Sequence, residues 1–245
     1  MITGIDPIFL IVILSVVGPV AGSAVGVFRC PSANYVCNML CFAAGVMLAI
    51  SFLELIPESI ALSSVGGCVL GFAAGALVMY ALDRVLPHIH PQLCSQEQGC
   101  SLQKTSAYLI IGMALHNFPE GMAIAGGGAA DVDVSLVIAL AIAIHCIPEG
   151  ICTAASVFYT TGRRFKSFLI SSATALPIVL GFILVRYVFQ NIGPYQVGLI
   201  VAATAGFMIY ITTDELIPNS CMGKDHRTIF SLMTGIVFVI LLGLL

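Results

Sequence analysis

The chain has 245 residues, of which 59% are hydrophobic and only 9% are charged, and its mean hydropathy is +1.08. Soluble domains carry about 25% charged residues, so this composition excludes an ordinary soluble protein and predicts a polytopic membrane protein. The formal net charge of −3 is small, and no nucleic-acid partner is expected.

Eight apolar stretches meet or approach the roughly 20 residues that a membrane-spanning helix needs. The first stretch lacks the basic segment and the cleavage site of a signal peptide, so it is predicted to be a spanning helix. The sequence therefore predicts an all-α membrane protein that forms a single transmembrane domain over residues 1–245. The eight helices are expected at residues 8–28, 35–58, 65–86, 105–126, 134–158, 168–189, 195–218 and 228–245.

The basic residues set the orientation of these helices. Eight of the nine Lys and Arg residues fall in odd-numbered loops, and the exception is Arg186 near the end of helix 6. Cytoplasmic loops are enriched in Lys and Arg, so the odd-numbered loops are expected to face the cytoplasm. Both termini are then extracytoplasmic, in a multi-pass protein of the plasma membrane or, in a eukaryote, of an organelle that the sequence does not identify.

The longest loop, residues 87–104, is predicted to be cytoplasmic and contains His88, His90, Cys94 and Cys100. A His-x-His pair can chelate a cation, which favours a weak metal-collecting role for His88 and His90. An ordinary solvated connection that contains two histidines explains the same residues equally well.

Helices 2 and 7 end in similar segments, ELIPES at residues 54–59 and DELIPNS at residues 214–220. The basic residues orient these two helices in opposite directions, and inverted repeats are typical of secondary transporters. Chance similarity between two helix ends is the alternative. Glu54 and Glu58 would lie near the outer mouth and Asp214 and Glu215 near the inner mouth of a cation pathway, or else they are solvated carboxylates at the membrane interface.

Helices 4 and 5 each contain the pattern His-x-x-Pro-Glu-Gly within an apolar run. His116 and Glu120 are four residues apart, as are His145 and Glu149, and this spacing places both side chains of a pair on one helix face. Ionisable groups within a membrane are costly and indicate a functional site. Each helix therefore offers one imidazole and one carboxylate to a shared site.

Two imidazoles and two carboxylates suit Zn²⁺ and, less selectively, Fe²⁺, Mn²⁺, Co²⁺ or Cd²⁺. Pro119 and Pro148 remove one helical hydrogen bond each and are expected to kink helices 4 and 5. The structural alternative is a buried, hydrogen-bonded His–Glu pair that joins the two helices. Asn117 and Cys146 follow the two histidines: Asn117 could be a direct ligand, whereas Cys146 could bind softer ions as a thiolate or simply pack.

These motifs, LHNFPEG, IHCIPEG, SFLELIPES and IYITTDELIPNS, resemble those of the ZIP (Zrt/Irt-like) metal-ion transporters, in particular their GufA-like prokaryotic-type branch. The resemblance implies inverted three-helix repeats, helices 1–3 and 6–8, around helices 4 and 5. It also implies metal movement towards the cytoplasm and a site that is often binuclear. The ligands that it implies are His116, Asn117, Glu120, His145 and Glu149.

The chain departs from that family pattern at two positions. Cys146 stands where relatives have Asn or Asp, and Leu176 stands before Pro177 where many relatives have Glu. Because leucine cannot bind a metal ion, we expect one strong site and a weakened or absent second one.

The expected function is transport of a divalent metal, with zinc preferred, into the cytoplasm by alternating access. The metal is the substrate, no organic cofactor is expected, and the partners are divalent ions and the lipid bilayer, with homodimer formation left open. An intramembrane zinc-dependent hydrolase is the alternative, but the His-Glu-x-x-His motif is absent. A metal sensor is disfavoured because no sizeable soluble domain is predicted.

Overall fold

The computed structural model describes residues 7–30, 32–85, 102–130, 132–188, 193–220 and 226–242. Nearly all of these residues lie in helices, which confirms the predicted all-α class. His88, His90, Cys94 and Cys100 lie outside the described residues, so the metal-collecting role of the loop stays a prediction.

The described helical segments are grouped here into eight rods, α1 to α8, in chain order. The first five rods are α1 (Pro7–Gly26), α2 (Ala33–Ile50, a π-helical turn at Ser51–Leu55, then Ile56–Leu62), α3 (Val65–Val85), α4 (Leu102–Ala130) and α5 (Val132–Thr161). The last three are α6 (Arg164–Ala173, a bend, Leu176–Ile183, then a π-helical turn at Leu184–Val188), α7 (Pro194–Ile211, a π-helical turn at Thr212–Leu216, then Ile217–Asn219) and α8 (His226–Leu242).

Four described stretches are long and apolar enough to cross a membrane: Asn34–Leu62, Ile138–Thr161, Arg164–Val188 and Pro194–Asp214. Shorter apolar helices occur at Leu10–Gly26, Val65–Ala81 and His226–Leu241. The helices agree with a polytopic membrane protein, whereas the count of eight spans stays a prediction.

Glycines allow the rods to pack with their backbones almost in contact. A Cβ atom added at Gly18 would lie 1.9 Å from the carbonyl oxygen of Ala143, and one added at Gly22 would lie 2.1 Å from that of Ile147. From one contact to the next, the residue numbers increase in both α1 and α5, so the two rods run in the same direction. Small residues at helix interfaces permit such close approach in membrane proteins.

The buried apolar residues form two main groups. One lies among α1, α4, α5 and α6 and includes Ile124, Ile178 and Phe182. The other is built chiefly by α2 and α7, which contribute Met47 and Met208. It also includes residues of α3, α4, α5 and α8. Rods α4 and α5 belong to the first group and also contact the second, so their polar motifs lie between the two.

A matched pair of glycines in α3 tests this packing. A Cβ atom at Gly75 would lie 2.0 Å from the carbonyl oxygen of Ala203 in α7, whereas one at Gly66 would lie 4.0 Å from its nearest neighbour, Ser64 Oγ. We expect Gly75→Ala to lower the free energy of unfolding by about 1–3 kcal/mol, because overpacking displaces neighbouring backbone. Gly66→Ala should be neutral or slightly stabilising. Thermal unfolding of the purified proteins measures both, and equal midpoints would contradict the packing.

Candidate metal centre

The two His-x-x-Pro-Glu-Gly motifs lie inside α4 and α5, and each helix continues on both sides of its proline. His116 and Glu120 belong to α4, and His145 and Glu149 belong to α5. All four side chains are buried, with exposed fractions between 0% and 4%. The four-residue spacing therefore directs both pairs into the protein interior.

The carboxylate of Glu120 lies between the two imidazoles. Its Oε1 atom is 2.7 Å from His145 Nε2, a hydrogen bond between α5 and α4, and 3.1 Å from His116 Nε2. His116 Nε2 is also 3.4 Å from Glu149 Oε1. The structure thus brings all four predicted side chains into one cluster.

Several polar atoms of this cluster have no hydrogen-bond partner although they are buried. They are both ring nitrogens of His116 and both carboxylate oxygens of Glu149. Buried polar side-chain atoms are usually hydrogen-bonded, and an exception requires an explanation such as an ion. A cation among them would supply the missing interactions. The structural alternative of a self-contained His–Glu pair accounts for the approach of His116 Nε2 to Glu120 and Glu149, but not for the buried Nδ1 atom of His116.

Two overlapping groups have ligand atoms within 4.8 Å of one another: His116, Glu120 and His145 form one, and Glu120, Cys146 and Glu149 form the other. Glu120 belongs to both. Cys146 is fully buried, and its Sγ atom donates to Glu120 Oε2 at 3.5 Å. Nitrogen, oxygen and thiolate sulfur are all ligands of Zn²⁺, so each group could hold a divalent ion.

Asn117 is held by a backbone group that the sequence did not indicate. Its Nδ2 donates to the carbonyl oxygen of Thr174 in α6 at 2.6 Å, while its buried Oδ1 atom has no partner. The amide of Ile178 bonds to Ala175 instead of Thr174, so the bend in α6 leaves the Thr174 carbonyl available. Pro177, which disrupts regular helix bonding, was the signal in the sequence that could have indicated this bend.

Leu176 does not join the cluster. Its side chain is 63% exposed, whereas that of the preceding Ala175 is 1% exposed. The bend in α6 therefore contributes a backbone carbonyl, through Thr174, and no side-chain ligand at position 176.

The described pathway carboxylates Glu54, Glu58 and Asp214 are not among the residues of the two ligand groups. Glu54 is half-buried and Glu58 is exposed in α2, Asp214 is half-buried in α7, and the side chain of Glu215 is outside the described part of the structure. Glu54 and Asp214 both lie in π-helical turns, Ser51–Leu55 and Thr212–Leu216. The pathway role of these residues stays a prediction.

The sequence was also compared with known proteins. The model of a family described as "ZIP Zinc transporter" matches residues 90–243. The chain belongs to the ZIP family. Proteins named "Zinc transporter ZupT" from Escherichia coli O127:H6 and Escherichia coli O1:K1 are each 36% identical to it over 218 residues, which is 85% of this chain and 84% of each relative. This ZIP-family chain is accordingly a membrane transport protein and not an enzyme, as predicted.

The contact between Asn117 and Thr174 can be tested by a nearly isosteric change. In metal-free protein, Asn117→Asp removes the amide donor and sets a carboxylate against the Thr174 carbonyl. We expect the free energy of unfolding to fall by about 1–3 kcal/mol, the usual cost of a buried polar group left unpaired. Asn34→Asp, the same chemical change at an exposed position, is the control in thermal unfolding. Equal effects of the two changes would contradict the role assigned to Thr174.

Proposed function

We propose that this chain carries a divalent metal ion, with Zn²⁺ preferred, into the cytoplasm through the cluster of His116, Glu120, His145 and Glu149. The observation that supports the proposal most strongly is the convergence of these four buried side chains from two helices, with several of their ligand atoms lacking a hydrogen bond. A divalent cation is the simplest group that would bind all four.

The donor set supports zinc as the first substrate. Imidazole nitrogen and carboxylate oxygen are common Zn²⁺ ligands, and the relatives that match over most of the chain carry the name zinc transporter. Fe²⁺, Mn²⁺ and Cd²⁺ accept the same donors with different preferences. They are therefore secondary candidates for the same site.

The group formed by Glu120, Cys146 and Glu149 is proposed as a weaker second position. It shares Glu120 with the first position, so one carboxylate would bridge two ions. Asn117 Oδ1, which is buried without a partner, could add a neutral oxygen ligand. A thiolate from Cys146 would favour soft ions such as Cd²⁺ over hard ones such as Mn²⁺.

We also propose that α1–α3 and α6–α8 form inverted repeats around α4 and α5. Contacts made by the glycines of the two motifs support this. A Cβ atom at Gly121 would lie 1.8 Å from the carbonyl oxygen of Ile178 in α6, and one at Gly150 would lie 2.4 Å from that of Pro19 in α1. Exchanging α4 with α5 and α1 with α6 thus interconverts the two contacts.

A second set of contacts supports the same exchange of halves. Gly45 in α2 packs against the carbonyl oxygen of Leu232 in α8, and Gly206 in α7 packs against that of Phe72 in α3, at 2.1 and 2.2 Å from an added Cβ atom. Each glycine lies six residues before the π-helical turn of its rod. The rods α2 and α7, which contain the ELIP segments, therefore share this packing contact as well as that sequence.

Alternating access in repeat transporters moves one group of helices against another around a fixed site. Here the helices that would move against each other are those of the two main apolar groups. One group lies among α1, α4, α5 and α6, and the other lies chiefly between α2 and α7. We propose that the cluster travels with the first group. The inward direction follows from the predicted orientation and from the family resemblance.

Zinc uptake into sealed vesicles that contain the purified protein tests the proposal. We expect Glu120→Gln to reduce uptake at sub-saturating Zn²⁺ by at least about ten-fold, because even residues that only orient metal ligands change affinity by about 10- to 100-fold. Asp133→Asn, which removes one negative charge from an exposed position of α5, should retain most of the activity. Equal uptake by the two variants would exclude Glu120 as a ligand.

The proposed second metal position, which includes Cys146, predicts that replacing this cysteine changes the selectivity between metal ions. Cys146→Ser should lower the ratio of Cd²⁺ to Mn²⁺ uptake, by about ten-fold if the thiolate is a direct ligand. Cys68→Ser, which changes a thiol on α3 outside the ligand groups, is the control. An unchanged ratio in Cys146→Ser would leave Cys146 as a packing residue only.

A further inference from the structure

A separate cavity lies where α1 ends and α5 turns into α6. Its volume is about 410 Å³, and Cys30, Phe158, Tyr159, Gly162 and Arg164 line it. Phe158 is nine residues beyond Glu149 on α5, which corresponds to about 14 Å along the helix axis at about 1.5 Å per residue. The cavity is therefore distinct from the metal centre.

The turn that forms one wall of the cavity is well defined. Gly162 has a φ of 65°, a left-handed conformation that favours glycine, and it reverses the chain between α5 and α6. Thr161 Oγ1 accepts from the amide of Arg163 at 3.3 Å and shares a hydrogen bond with Ser167 Oγ at 3.0 Å. This turn fixes the backbone from which Arg163 and Arg164 extend.

One cation lines the cavity, and three more lie close to its lining residues in the sequence. Arg164 lines it and lies 5.7 Å from the ring centroid of Phe158. Arg29 precedes Cys30 at the end of α1, and Arg163 and Lys166 flank Arg164, all three with exposed side chains. Four of the nine basic residues in the chain thus lie at this one corner.

No carboxylate neutralises these cations: Arg29, Arg163, Arg164 and Lys166 form no ion pair in the described part of the chain. Exposed aromatic residues, Phe28 at 82% and Phe165 at 73%, lie beside them. Tyrosine and basic residues together, here Tyr159 at 40% exposed and these four cations, are typical of the membrane–water interface. A positive cavity at that depth is complementary to the phosphate of a lipid headgroup.

We propose that this cavity binds the headgroup of an anionic phospholipid of the inner leaflet. Basic pockets between transmembrane helices on the cytoplasmic side bind acidic headgroups, and the odd-numbered loops are the predicted cytoplasmic ones. The phosphate would interact with Arg164 and its neighbouring cations, and the acyl chains would lie against the exposed apolar side chains. The bound lipid would connect the end of α1 to the α5–α6 turn, in the same group of helices that contains the metal centre.

The chain contains no tryptophan, so Tyr159→Trp places a single tryptophan reporter in the cavity wall. The full-length variant is reconstituted in phosphatidylcholine nanodiscs that contain an equal fraction of either brominated phosphatidylglycerol or brominated phosphatidylcholine. We expect stronger quenching by the brominated phosphatidylglycerol. Adding Arg164→Gln should lower this preference about five-fold, as expected for the loss of one cation near an anionic membrane.

Arg84→Gln is the matched control, because Arg84 lies at the end of α3 over the ring of Tyr80 and does not line the cavity. It should leave the preference unchanged. Equal quenching by the two lipids, or a preference that survives Arg163→Gln combined with Arg164→Gln, would overturn the proposal. Inorganic phosphate added to discs of phosphatidylcholine alone should not change the emission, and an equal change would assign the cavity to a free anion.

The unsubstituted chain provides a second measurement that does not depend on the folding of any variant. Native mass spectrometry of protein released from discs with equal amounts of the two lipids should show phosphatidylglycerol retained preferentially. Equal retention would contradict the proposal.

Discussion

The structure depends on one buried carboxylate, that of Glu120, which lies between imidazoles from two helices. It hydrogen-bonds His145 of α5 and approaches His116 of its own helix. Burying a carboxylate is expensive unless it is paired, so α4 and α5 must keep their polar faces together. The rest of the fold has to supply the close packing that makes this pairing geometrically feasible. A cation at the same place would replace part of the hydrogen bonding while preserving the contact between the helices.

Glycine supplies that packing. The residue after each motif glutamate, Gly121 or Gly150, lets a carbonyl of α6 or α1 approach the helix backbone. A side chain at either position would push α6 or α1 away from the cluster, so that this helix would no longer enclose it. The H-x-x-P-E-G pattern therefore combines two functions: its His and Glu provide the proposed ligand atoms, and its Gly allows a neighbouring helix to enclose them. The proposed metal centre and the helix packing are specified by the same few residues.

Much of the cluster could be predicted from the sequence, because four-residue spacing fixes which side chains share a helix face. The all-helical class followed equally directly from composition. The contact between Asn117 and Thr174 could not be predicted, since it depends on how the bend in α6 approaches α4. The exposure of Leu176 follows from the same bend, which turns that side chain away from the neighbouring buried Ala175. The π-helical turns at the ELIP segments likewise reflect local backbone geometry that periodicity does not reveal.

The charges of the cluster bear on how many ions it can hold. Glu120 and Glu149 carry two negative charges when ionised, which match one divalent cation bound with neutral imidazoles. Asn117 adds no charge, and Leu176 supplies none. A second divalent ion would bring two further positive charges into a buried site, at a high cost in free energy unless they are compensated. The thiolate of Cys146 could compensate one of them. Charge balance thus favours one tightly held ion, with any second ion weaker and dependent on the loss of the Cys146 proton.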